Sequence, residues 1–165
     1  MVGSGPLVLA LALYITNPAE LGIQLTGVHL HKIDEAPLGV GARFIFNFSA
    51  HTALDAEITR YRLETATLLG MKSGFRFNRL GVFGKARAGL WHFGGSFFDR
   101  RLERKTIPAA DVGGVLEYYP SPRTTIRIDL GDTILFYGSR SLLGITGRLG
   151  SVHNFQPGLG FSFRF

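Results

Sequence analysis

The chain has no cysteine among its 165 residues, so neither a disulfide framework nor a thiolate metal site can be built. It also has no apolar run near the ~20 residues that a membrane-crossing helix needs. Charge is scarce, at 18% of residues against roughly 25% in an average soluble domain. No Pro/Ser-rich linker, low-complexity tract or block of like charge divides the chain, so it reads as one domain. The excess of 18 Lys and Arg over 12 Asp and Glu would suit a nucleic-acid surface only if the cations lay together in one patch. Apart from the pairs Arg100-Arg101 and Arg104-Lys105 they are scattered along short segments, and no nucleic acid is expected.

Aromatic residues and glycine are abundant: 14 Phe and 22 Gly, a composition that favours strands and close backbone approach over long helices. The longest apolar stretch, Pro6 to Ile15, has the length of the apolar part of a secretory signal. No Lys or Arg precedes it, and a cut after Ala19 would place Asn17 where a small residue is preferred. Residues 1–19 are therefore read as a signal-peptide remnant or a short N-terminal segment, and residues 20–165 as a β-barrel domain.

From residue 20 onward, segments of ten to twelve residues alternate between two kinds of side chain, a period of two that means two-faced strands. Val40, Ala42, Phe44, Phe46 and Phe48 oppose Gly39, Gly41, Arg43 and Asn47, with Ile45 the exception. Ala110, Val112, Gly114, Leu116 and Tyr118 oppose Asp111, Gly113, Val115, Glu117 and Tyr119. Ile126, Ile128 and Leu130 oppose Arg127, Asp129 and Gly131, while Phe155, Pro157, Leu159, Phe161, Phe163 and Phe165 oppose Gln156, Gly158, Gly160, Ser162 and Arg164. Segments around Asp55 and Glu57, around Lys72 and Arg76, and around Lys85 and Arg87 repeat the pattern. A first strand over Leu21–His31 changes parity at Val28 and Leu30, which predicts a bulge near Gly27. That makes eight strands.

Connections alternate in length. Residues 49–52, Asn78-Arg79 and 120–123 read as tight turns, and two of the opposite connections, 94–108 and 138–152, are long. Short turns at one end and longer loops at the other belong to an up-and-down membrane barrel.

The decisive feature is which face is polar. One face is Phe, Leu, Ile, Val and Ala with almost no charge; the other sets Arg43, Asp55, Glu57, Lys72, Arg76, Lys85, Arg87, Asp111, Glu117, Arg127, Asp129 and Arg164 among glycines. Glycines are pointless on a solvated strand face. In a narrow interior they let long cations lie across the space. The expected fold is all-β, an eight-stranded antiparallel up-and-down transmembrane barrel with charges inside and an apolar wall toward lipid.

The segments GVGARFIFNFS, LGVFGKARAGLWHF, DVGGVLEYYPSPRTTIRIDLGDT and HNFQPGLGFSFRF resemble the small outer-membrane β-barrel superfamily of the OmpA/OmpX type, from about residue 20 to 165. The resemblance implies a bacterial outer-membrane location with a periplasmic N-terminus. It also implies that the alternating C-terminal aromatics Phe161, Phe163 and Phe165 are the signal read by the barrel-assembly machinery. No peptidoglycan-binding domain follows the barrel segment, so a cell-wall tether is not implied.

Other motifs carry less. The interior charges read as a salt-bridge network that plugs the lumen, with a narrow ion pore as the alternative; Asp55 and Glu57 read as ion-pair partners rather than a glycosidase pair. His29 and His31 share a face but lack a third ligand, and neither a metal nor a cofactor is expected. An outward pair of Ser73 and His92 would be the seed of a lipid deacylase, but no carboxylate clearly joins them, so the chain is not read as an enzyme. Arg60 and Arg62 follow Ile58 on the lipid-facing parity near the loop rim, where contact with lipopolysaccharide phosphates and a solvated strand end are equal alternatives. Trp91, Phe93 and Tyr137 are expected in an aromatic girdle. Asp132 has the wrong parity unless Gly131 marks a bulge. Asn47-Phe48-Ser49 is a chance glycosylation match, and the charged stretch Phe97 to Lys105 is expected at the surface. The role expected is structural or adhesive, through outer-membrane lipid, lipopolysaccharide and an unknown extracellular partner on loops 94–108 and 138–152. A soluble lipocalin-like carrier is the remaining alternative, with the Phe-rich face turned inward.

Overall fold

In the computed structural model, which describes residues 18–29, 37–94, 105–136 and 150–165, the two-faced segments become eight antiparallel strands. They are β1 (Ala19–Gly27), β2 (Leu38–Asn47), β3 (Thr52–Arg60), β4 (Glu64–Phe77), β5 (Leu80–Phe93), β6 (Lys105–Ser121), β7 (Thr124–Phe136) and β8 (Ser151–Arg164). Each pairs with its sequence neighbours, and β1 pairs with β8, closing the barrel. Closure leaves no sheet edge to be satisfied, which is the condition for a sheet to stand in lipid.

The seam is made by the chain ends. Phe165 N donates to Ala19 O at 2.9 Å, and Ala19 N donates back to Phe165 O at 3.3 Å. The expectation for residues 1–19 falls outside the described residues except at Pro18 and Ala19, and Ala19 opens β1.

Tight turns stand where turn chemistry predicts them. Asn78 and Arg79 link the closing pair Phe77 and Leu80, and Asn78 has φ 50°, a left-handed conformation that Asn tolerates better than most residues. Pro122 and Arg123 link Ser121 and Thr124, with a register irregularity between Tyr118 and Ser121. In the β2–β3 turn, Ser49 Oγ accepts from the amides of His51 and Thr52, both at 3.1 Å.

Three boundaries differ from expectation. β1 ends at Gly27 without any register shift against β2 or β8, so there is no bulge. Val28 keeps the parity of Gln24 and Thr26 and is buried inside, and its apolar character had been mistaken for a change of face. Second, β6 begins at Lys105, so residues 105–108 belong to the β5–β6 ladder and not to a long loop. Pro108, the last residue of that expected connection, pairs with Leu90 one residue beyond the β6–β7 ladder, a place where its missing N–H is tolerated. Third, β8 begins at Ser151, so the second long connection is shorter than 138–152.

The faces are inverted relative to a soluble protein. Ile23, Leu38, Phe75 and Phe77 are more than 60% exposed, whereas Asp55, Lys72, Asp111 and Glu117 are 0% exposed. Water offers no reason to expose the apolar set and bury the charged one; lipid does.

Candidate functional site

Inside the wall the charged side chains divide into two groups. Toward the loops, Arg43, Lys85 and Arg87 meet Asp55, Glu57, Asp111 and Asp129. Arg43 donates from Nε to Asp55 Oδ1 at 2.7 Å and pairs Nη2 with Asp55 Oδ2, while its Nη1 reaches Asp129 Oδ2 at 2.8 Å. Because β1 and β8 lie between β2 and β7, the Arg43–Asp129 pair crosses the interior. Arg87 on β5 holds Glu57 on β3 and sits 2.7 Å from Asp111, and Lys85 stands 3.1 Å from Asp111 and 3.2 Å from Asp129.

Toward the short turns, Lys72, Arg76, Arg127 and Arg164 share two carboxylates, Glu20 and Glu117. Glu117 pairs with Lys72, accepts from Arg127 Nη2 at 2.8 Å and from Tyr119 Oη at 2.6 Å, and stands 3.7 Å from Arg76. Glu20 takes Arg164 Nη2 at 2.7 Å, Asn47 Nδ2 at 2.9 Å and Arg127 Nη2 at 3.4 Å. Phe83 lends its ring face to Lys72 and Arg76, each 4.7 Å from the centroid. Glu20 was absent from the sequence reading because the first strand was begun at Leu21. Its parity with Gln24 and Thr26 was the signal available.

Glycine makes the crowding possible. A Cβ on Gly131 would lie 2.6 Å from Asp111 Oδ1 and 3.4 Å from Lys85 Cε, so the missing side chain is the space those charges occupy. Gly113 has another reason: an added Cβ would run into the Leu130 carbonyl of the neighbouring strand.

The interior changes character toward the loops. Above the ion pairs lies a polar tier: Gln24 Nε2 donates to Thr59 at 3.1 Å, and Gln156 Nε2 to the Tyr61 hydroxyl at 3.0 Å. A small polar void lined by Gln24, Thr26, Glu57, Lys85, Arg87, Asp129, Gln156 and Gly158 has room for about one water molecule, far short of a channel. Beyond it Val28, Tyr61, Ala66, Leu68, Trp91, Ile107, Ala109 and Leu135 form a buried apolar cluster, with Phe93 against it. The Trp91 and Tyr61 rings stack at 5.0 Å, and Trp91 Nε1 donates to Glu64 Oε2 at 3.0 Å. Trp91 and Phe93 therefore point inward and are not girdle residues; the parity they share with Lys85 and Arg87 places them there. Tyr137 lies outside the described residues.

On the outer wall, Phe161, Phe163 and Phe165 are about half exposed along β8. Asp132 faces outward with no bulge at Gly131, and its Oδ2 lies 2.5 Å from His153 Nδ1 while Oδ1 accepts the Asn154 amide at 3.0 Å. Ser73 and His92 are not brought together: Ser73 pairs with Gly84 near the short turns, and His92 with Thr65 near the loops. Arg60 and Arg62 are exposed at the loop end. His31 lies outside the described residues, as does all but Lys105 of the stretch 97–105. Among the described residues no group of three His, Asp or Glu is placed to hold a metal.

With this geometry the relevant comparison is with other barrels of inverted face. The N-terminal β-barrel domain of Pseudomonas aeruginosa OprF superposes with a TM-score of 0.64 at 16% identity, over 88% of this chain and 97% of that one. The chain has the fold of the small eight-stranded outer-membrane barrels. Ail, the attachment invasion locus protein of Yersinia pestis, solved with the heparin analogue sucrose octasulfate, matches with a TM-score of 0.55 at 16% identity, over 89% and 96% of the two chains. Neisserial surface protein A gives 0.53 at 12% identity, over 89% and 96%. No family model matches the chain, and no curated protein matches it. These solved structures are an N-terminal barrel domain, an attachment invasion locus protein and a surface protein, and the feature they share with this chain is the barrel itself.

Proposed function

We propose that the chain is an integral protein of the bacterial outer membrane that neither conducts nor catalyses. It holds its long connections, within 94–108 and 138–152, outside the cell for a structural or adhesive task. The single observation that carries the non-conducting reading is the Arg43–Asp129 pair, which crosses the interior from β2 to β7; Arg87–Glu57 and Lys72–Glu117, each reaching over one intervening strand, narrow the space further. Removing one partner of such a buried pair leaves an uncompensated charge, so the bridges persist rather than open transiently. The apolar tier around Trp91 and Tyr61 closes the loop end by different chemistry, since a dry constriction repels ions. In this reading Arg43, Asp55, Glu57, Lys72, Arg76, Lys85, Arg87, Asp111, Glu117, Arg127, Asp129 and Arg164 form a plug, and Phe161, Phe163 and Phe165 address the barrel-assembly machinery.

Planar-bilayer recording tests the plug. The wild-type barrel is expected to show no discrete conductance steps, and a variant replacing Arg43, Trp91 and Tyr61 with alanine to show small ones. Regular steps from the wild type, abolished by neutralising interior charges, would establish the pore instead.

A further inference from the structure

Four polar side chains form an unbroken row across the outer wall. Arg60 on β3 is the register partner of Thr65 on β4, Thr65 of His92 on β5, and His92 of Thr106 on β6. They are tied in two pairs: Arg60 Nη1 donates to Thr65 Oγ1 at 2.8 Å, and His92 Nδ1 lies 2.8 Å from Thr106 Oγ1. The same-face row one step nearer the short turns is Ile58, Thr67, Leu90 and Pro108, and the next two rows, from Ala56 to Ala110 and from Leu54 to Val112, are wholly apolar. The polar row thus sits where the apolar band ends and the loops begin, the level of lipid headgroups. An arginine is costly on the lipid face at mid-membrane, and that cost fades at the interface.

The row also has an unbalanced charge. No carboxylate stands on the outer face of β3 to β6 among the described residues. The outward Asp132 lies on β7 and is engaged by His153 and the Asn154 amide. Glu64, next to Thr65, has the interior parity and accepts from Trp91 Nε1. Arg62, two residues past Arg60, adds a second exposed cation. Four neighbouring strands span ~14 Å, from the ~4.8 Å spacing between strands. That exceeds one phosphate and suits a headgroup with phosphate at one end and hydroxyls at the other.

We propose that Arg60, Thr65, His92 and Thr106, with Arg62, form a binding site for a phosphorylated glycolipid of the outer leaflet. The guanidinium fork takes the phosphate, as such forks take oxyanions in two parallel bonds. Thr65, Thr106 and the far nitrogen of the His92 ring take sugar hydroxyls. The site rests on the membrane reading above, and it supplies a specific ligand for that wall.

The test uses the full-length barrel inserted in phosphatidylcholine vesicles containing a minor fraction of lipid A. The barrel is extracted in mild detergent, and the retained lipid A is counted by native mass spectrometry. Wild type is expected to retain at least one molecule. The variant R60Q/R62Q should retain about tenfold less, T65V/H92F a few-fold less, and Arg79→Gln, in a short turn at the other end, as much as wild type. Lipid A stripped of its phosphates should bind wild type as weakly as phosphorylated lipid A binds R60Q/R62Q. Equal retention by wild type and R60Q/R62Q, or indifference to the phosphates, would overturn the site. So would full competition by millimolar inorganic phosphate, which would mark a free-anion site. Heat-modifiable gel mobility, scored on every variant, separates loss of binding from loss of folding. Failure of the wild type itself to insert would remove the membrane reading, and the site with it.

Discussion

Glu117 is ringed by cations: Lys72, Arg127 and Arg76 all face it, and Tyr119 donates to it. Glu117→Gln leaves these cations without their main counter-charge in a space that water does not reach. The expected loss of stability is about 3–5 kcal/mol, as for one partner of a buried pair. Asp132→Asn is the useful contrast. Its pair with His153 faces outward, with side chains 38% and 63% exposed, and its loss is expected to cost no more than about 1 kcal/mol. Equilibrium urea unfolding in vesicles reads both; similar costs for the two would contradict the buried-plug picture. Asp132 also shows the limit of parity as a guide. The alternation placed it outward, and only the β7–β8 stagger, which sets His153 diagonally across from it, revealed what holds it there.

At the scale of the strand, the period of two was readable wherever charged and apolar residues alternate, as along β7 with Ile126, Ile128 and Leu130 out and Arg127, Asp129 and Gly131 in. The outward face of β7 predicts that Ile128→Arg costs about 2–4 kcal/mol, since a guanidinium there has only lipid around it. Arg60 endures on the same side of the wall because it stands at the rim. If Ile128→Arg unfolds at the same urea concentration as wild type, the face toward lipid has been misassigned. Strand ends were read less well. Val28, Trp91, Phe93 and Ile107 are apolar residues on the charged face, and alternation of polarity carries no signal where the interior itself becomes apolar. The placing of Trp91 and Phe93 in a girdle and of a bulge near Gly27 were both misreadings of this one feature.

For the whole molecule, closure of β1 on β8 makes an unbroken hydrogen-bonded cylinder with an apolar outer wall. Such a cylinder resists unfolding until all its strands separate. The expected behaviour is heat-modifiable gel mobility: unheated samples in dodecyl sulfate run at a position distinct from boiled ones. A chain that stays monodisperse without detergent and shows no such shift would instead be a soluble barrel. The comparisons with solved barrels establish this architecture at 12–16% identity, while the task of the loops belongs to residues that the architecture does not constrain.

The order of side chains along the strands determined, by itself, how many strands there are, which face the residues of the charged stretches take and that the charged face must be inside. These follow from a local rule: successive side chains in a strand point in opposite directions, and only lipid rewards an apolar exterior. The tertiary structure decided the rest. It chose which of the interior charges meet, bringing Arg43 to Asp129 and Arg127 to Glu20 over long stretches of chain. It divided the interior into a charged, a polar and an apolar tier, and it aligned Arg60, Thr65, His92 and Thr106 into one row. Those outcomes depend on the stagger between strands around a closed cylinder, which no single strand's alternation contains.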